Sequence, residues 1–94
     1  MERSIYRDSK EIFNLKFAAG DIYYMRPGTE EKLHYHKGLE LVYVLDGNSG
    51  THKKGRLYFY PGNMIHDVKN DSDKELVLFC LTIPPESKKN TFFV

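Results

Sequence analysis

The stretch His34-Tyr35-His36-Lys37-Gly38-Leu39-Glu40-Leu41-Val42-Tyr43-Val44-Leu45-Asp46-Gly47 carries both the fold signal and the chemistry of this chain. Its second half, Leu41 to Leu45, is an unbroken apolar run rich in β-branched and aromatic residues, stopped by Asp46-Gly47-Asn48, and reads as a β-strand. Its first half places two histidines one residue apart. On a strand those positions share a face with Cα atoms about 6.5–7 Å apart, so both imidazoles lean the same way and can share one metal at ~2.0–2.1 Å. Glu40 has the same parity and adds a carboxylate oxygen if the chain turns at Gly38 and returns alongside.

Outward from this stretch the same strand pattern recurs. Ile22 to Met25, Leu57 to Tyr60 and Leu76 to Ile83 are short apolar segments bounded by Gly, Pro, Asn or Asp. Breaks are expected at Ala19-Gly20-Asp21, Pro27-Gly28, Asp46-Gly47-Asn48, Pro61-Gly62-Asn63 and Asn70 to Asp73. Residues 8–17 could pass as a helix, but Phe13, Leu15 and Phe17 alternate, which predicts a strand. The chain is therefore expected to be all-β, a small sandwich or barrel. Leu41 to Leu45 and Leu76 to Leu81 are apolar on both faces, so both faces need cover, and the second cover is expected to be another copy in a homodimer. Pro84-Pro85 ends the last long strand. The reading is of a single domain over 1–94, with a core over roughly 10–84 and a polar tail over 85–94 ending in Phe92-Phe93-Val94.

The chain has 94 residues with 14 basic and 13 acidic side chains, a net charge of +1. The lysines are interspersed with acids, which argues against a nucleic-acid partner. The polar N-terminus lacks the apolar run of a signal peptide and no segment is long enough for a membrane helix, so a soluble cytoplasmic protein without a membrane partner is expected. Cys80 is the single cysteine, which excludes an internal disulfide, and within an apolar strand it reads as a small buried hydrophobe.

The spacing of polar landmarks adds a second layer. Gly28, five residues, His34-x-His36, three residues, Glu40, six residues and Gly47 resemble the first sequence motif of the cupin superfamily, and Gly55, five residues, Pro61, then His66, three residues and Asn70 resemble its second. The resemblance covers residues 28–70, nearly half the chain. It implies a small cupin-type β-barrel, a double-stranded β-helix or jelly roll, holding one divalent transition metal on His34, His36, Glu40 and His66. Imidazole and carboxylate ligands suit Fe, Mn, Ni, Cu or Zn alike and leave the identity open.

Two departures from the pattern stand out. Asn63 replaces a usual glycine, and asparagine is the residue next most tolerant of a left-handed backbone. The segment Asn48 to Lys54 is shorter than the hairpin that family members commonly carry between the motifs. His52, in that polar turn, is expected to be an exposed loop residue. Tyr24, Arg26, Tyr58, Tyr60 and Met64 are candidates to line the pocket. The implied function is a metal-dependent enzyme acting on a small oxygen-bearing metabolite, of dioxygenase, isomerase or lyase type. The alternative is a non-catalytic barrel that binds a sugar or sugar acid, resembling the ligand-binding domain of arabinose-type regulators. Either takes a small-molecule ligand. A purely structural barrel leaves the four metal-binding side chains unexplained.

Overall fold

A computed structural model describes residues 7–85 and 91–93 as eight strands with no helix. They are β1 (Arg7–Asn14), β2 (Ala19–Met25), β3 (Glu30–His36), β4 (Leu39–Asp46), β5 (Leu57–Tyr60), β6 (His66–Lys69), β7 (Leu76–Ile83) and β8 (Thr91–Phe93). Two antiparallel sheets form, one ordered β1-β2-β7-β4-β5 and one ordered β6-β3-β8. A strand does form within residues 8–17, as β1, but it ends at Asn14, so Leu15 and Phe17 lie in the turn beyond it. Thr91–Phe93, expected at the tip of a polar tail, instead forms β8 beside β3, where the Phe92 ring stacks on Tyr35 at 5.1 Å.

Strand alternation builds the interior. On β7, Leu76, Leu78, Cys80 and Thr82 are buried while Val77, Phe79 and Leu81 point the other way. Tyr23 and Met25 from β2 and Val42 and Val44 from β4 join them in one core. The outward residues of the large sheet are also apolar. Leu41 lies opposite both Phe59 and Leu81, and Tyr43 lies opposite both Leu57 and Phe79, all on the outer face. Tyr43, Leu57 and Phe59 are substantially exposed there.

The turns explain where the sequence pattern shifts. The break expected at Ala19-Gly20-Asp21 instead falls at residues 15–18, closed by the Leu15 amide donating to the Ala18 carbonyl at 2.8 Å. Gly20 runs inside β2 beneath the Phe13 ring, and a Cβ there would collide with that ring. Asn63 does adopt the left-handed conformation, with φ of 67°. Asn70 ties two turns together at one end of the barrel. Its buried amide donates to the carbonyls of Met25 at 2.9 Å and Lys74 at 2.8 Å, its Oδ1 accepts from Ser72, and its backbone carbonyl accepts from Gly28.

The short β4–β5 connection packs against that same end. The Gly50 amide donates to Asp71 Oδ1 at 2.8 Å, and the Thr51 hydroxyl bridges to the Lys69 backbone. This anchoring turns His52 inward. It was expected to be exposed, but it is 1% exposed, with its ring nitrogens facing the Thr51 and Tyr60 hydroxyls. Burial pushes its imidazole from 6.5 down to about 4, against the opposing pull of the Asp67 and Glu40 carboxylates.

Two outcomes follow. Asn70→Ala strands buried carbonyls and is expected to cost roughly 2–4 kcal/mol in urea unfolding. Native His52 stays neutral where the unfolded chain already takes a proton, so its contribution is complete above about pH 6.5 and is lost as pH falls toward about 4. The loss amounts to at most about 3 kcal/mol. Unfolding the wild type and His52→Gln in urea at about pH 4.5 and about pH 7 should show the wild type losing more stability in acid than the variant does.

Candidate metal centre

Away from the Asn70 end, the inner faces turn polar. Along β4 the inward residues run Val44, Val42, Glu40, and Glu40 lies opposite Thr82 on β7 and Tyr60 on β5. His34 on β3 and His66 on β6 are opposite each other in the second sheet. All five side chains are buried, so the two sheets face each other here through polar groups.

The His66 ring is held on several sides. Its Nδ1 lies 3.0 Å from the Met64 carbonyl oxygen, which can only accept, so Nδ1 carries the hydrogen. Its Nε2 lies 3.1 Å from Glu40 Oε1. The Tyr60 ring stacks on one face at 4.0 Å between centroids and 9° between planes, and the His34 ring sits at 4.3 Å, tilted by 58°.

That arrangement has a chemical consequence. With the hydrogen on Nδ1, a neutral His66 directs the Nε2 lone pair toward a carboxylate oxygen, and two electron-rich atoms so close require positive charge between them. A proton supplies it, making a buried imidazolium–carboxylate pair. A metal ion supplies it too. Two ligands at right angles on an ion at ~2.1 Å are separated by about 3.0 Å, the span seen here, so this donor pair fits adjacent positions on one ion.

His36 contributes its backbone to β3, opposite Thr91, and its side chain lies outside the described residues. Among the described residues no three His, Cys, Asp or Glu side chains form a group that could hold a metal ion. The described part of the site is the His66–Glu40 pair with the His34 ring against it.

The pocket candidates divide. Tyr60 reaches the site, and its hydroxyl pKa is raised well above the usual phenol value, chiefly by burial and then by the Glu40 carboxylate. Tyr58 stands a layer behind, packed on the His52 ring at 4.5 Å with its hydroxyl accepting from the Lys53 amide. Met64 contributes its carbonyl while its side chain is exposed. Tyr24 does not line the interior. It sits opposite Val77 on the outer face, because Tyr23 and Met25 take the inward positions. Arg26 is also misplaced by the sequence reading. It follows the end of β2 remote from Ala19, one strand length or about 20 Å from the Glu40 level.

Three residues near the centre escaped the sequence reading. His52 Nε2 lies 2.7 Å from Tyr60 Oη, which places it directly behind the ring that stacks on His66. Asp21, taken as a turn residue, is buried on the inner face opposite Cys80, and Thr82 is buried opposite Glu40. Asp21 shares its parity with Tyr23 and Met25, but a segment apolar at every position gave no sign of which parity faces inward.

The barrel has counterparts among solved structures, although no curated protein matches the chain. TT1209 from Thermus thermophilus is 25% identical with a TM-score of 0.72, covering 83% of each chain. DMSP lyase DddQ from Ruegeria pomeroyi DSS-3 is 16% identical with a TM-score of 0.74, over 95% of this chain and 52% of that one. Oxalate decarboxylase from Lactobacillus farciminis, in a formate complex, is 17% identical with a TM-score of 0.76, over 99% of this chain and 32% of that one. The last two likenesses show a shared fold, and this chain spans only part of those proteins. A family model described as a cupin domain matches residues 21–82, which include both motifs and the loop between them. With that match over more than half of its length, the chain belongs to the cupin superfamily.

Proposed function

We propose that this cupin binds one divalent transition metal on His34, His36, Glu40 and His66 and acts as a metal-dependent enzyme on a small oxygen-bearing metabolite. The observation that carries the reading is the 3.1 Å approach of His66 Nε2 to Glu40 Oε1 while Nδ1 is held by the Met64 carbonyl. A bound ion would act as a Lewis acid toward a substrate oxygen. The chain's own residues would hold and orient: Met64 fixes the His66 tautomer, Tyr60 covers one face of its ring, and Glu40 supplies negative charge. The barrel is shared with proteins named as a lyase and a decarboxylase, which supports small-molecule lyase chemistry as the first class to assay.

The proposal extends to assembly. The exposed apolar outer face around Tyr43, Leu57, Phe59 and Phe79 fits a second copy of the same sheet.

Metal analysis after dialysis at neutral pH without chelator should give about one transition-metal ion per wild-type chain, and His34→Ala with His36→Ala should remove most of it. Wild-type protein that carries none and takes up none would reject the metal reading. Occupancy should also fall in mild acid, as protons compete for the imidazoles. Incubating loaded protein with small carboxylates, sugar acids and diketones under air separates an enzyme, which yields product, from a sensor barrel, whose ligand raises the melting temperature and emerges unchanged. In light scattering the wild type should run as a dimer and Phe79→Glu as a monomer, and a wild-type monomer at micromolar concentration would reject the assembly.

A further inference from the structure

Two residues outside the fixed motif positions, His52 and Tyr60, stand behind the His66 ring. We propose that they form a positioning pair that seats the Tyr60 ring on His66 and so holds the His66 ring where its Nε2 meets Glu40. The inference rests on the metal reading insofar as the locked nitrogen is the one offered to an ion.

The hydrogen-bond directions can be assigned from the far end of the barrel inward. The Thr51 hydroxyl has one hydrogen and donates it to the Lys69 carbonyl, while accepting from the Lys69 amide, each at 3.3 Å. With its hydrogen on the Lys69 carbonyl, it accepts from His52 Nδ1, 2.7 Å away, which in this arrangement carries the hydrogen. Neutral His52 is left with an accepting Nε2, and the Tyr60 hydroxyl 2.7 Å from it donates there. Tyr60 thus commits its only hydroxyl hydrogen away from the metal centre and presents the face of its ring to His66. That bond fixes where the Tyr60 hydroxyl lies, and with it the long axis of the ring that stacks on His66.

Packing alone does not call for this construction. A phenylalanine and a leucine would fill similar volumes without burying two polar groups that must satisfy each other. What the polar pair adds is position: it anchors the tip of the Tyr60 ring that lies against His66, while Met64 sets which edge of His66 faces Glu40. His34, the neighbour of His66 in the same sheet, adds a tilted ring contact, and Tyr58 packs on His52. The shortened β4–β5 loop makes this possible, because its contacts to Lys69 and Asp71 bring His52 under Tyr60.

The test uses the full chain with two readouts, long-range imidazole nitrogen–proton NMR on metal-free protein and visible-absorption titration with Co(II) alone. Metal-free wild type should show one His66 ring state, with the Nδ1 hydrogen held on the Met64 carbonyl and Nε2 engaged with Glu40. Tyr60→Phe, which keeps the ring, and His52→Leu should each split or shift the His66 ring signals and weaken Co(II) binding about tenfold. His52→Gln, whose side-chain oxygen can accept the Tyr60 hydrogen, should restore most of both. Folded Tyr60→Phe with unshifted His66 ring signals and unchanged Co(II) affinity would overturn the proposal, and this variant decides it even where His52→Leu does not fold. If wild type takes up no Co(II), the metal reading fails, and the comparison of His66 ring signals then supports or overturns the positioning pair by itself.

Discussion

The approach of Glu40 to His66 joins the two sheets through their most polar pair, and the remainder of the interior is arranged around it. Glu40 belongs to the five-stranded sheet and His66 to the three-stranded one. Buried polar groups persist only where they are satisfied, since an unsatisfied one costs about 1–3 kcal/mol. Each neighbour can be understood as meeting that demand. The Met64 carbonyl takes one nitrogen of His66, Glu40 faces the other, and Tyr60 turns its hydroxyl away to His52.

The same strands serve as both core and site because polarity changes along their length rather than between elements. Inward positions on β4 pass from Val44 and Val42 to Glu40, and those on β7 pass from Leu76 and Leu78 through Cys80 to Thr82. The apolar end is closed by Asn70 and by the short loop that carries His52. Among the described residues, the loop that seals one end also reaches toward the site through His52 and Tyr60. That loop is held by its contacts to Lys69 and Asp71.

Much of this was legible before any coordinates. The strand pattern and turn residues predicted an all-β chain, and the polar landmarks from Gly28 to Asn70 predicted the family. The left-handed turn at Asn63 followed from its side chain. What escaped has physical causes. Ile22 to Met25 is apolar on every residue, so alternation could not say whether Tyr23 or Tyr24 faces inward. Parity also says nothing about height along a barrel, which is why Arg26 was placed near a centre that lies a strand length away. His52 sits in a polar turn, and its burial depends on contacts with Lys69 and Asp71 that no local pattern contains. Strand β8 is three residues long and is held by pairing with β3, a partner remote in sequence.

The central claim is that His66 and Glu40 approach as two ligands of one ion rather than as an ion pair bridged by a proton. Anomalous diffraction from crystals equilibrated with Co(II) at neutral pH tests it most directly. The account predicts a single peak about 2.0–2.2 Å from both His66 Nε2 and Glu40 Oε1. The contrary result is the same 3.1 Å contact with no anomalous density at the pair.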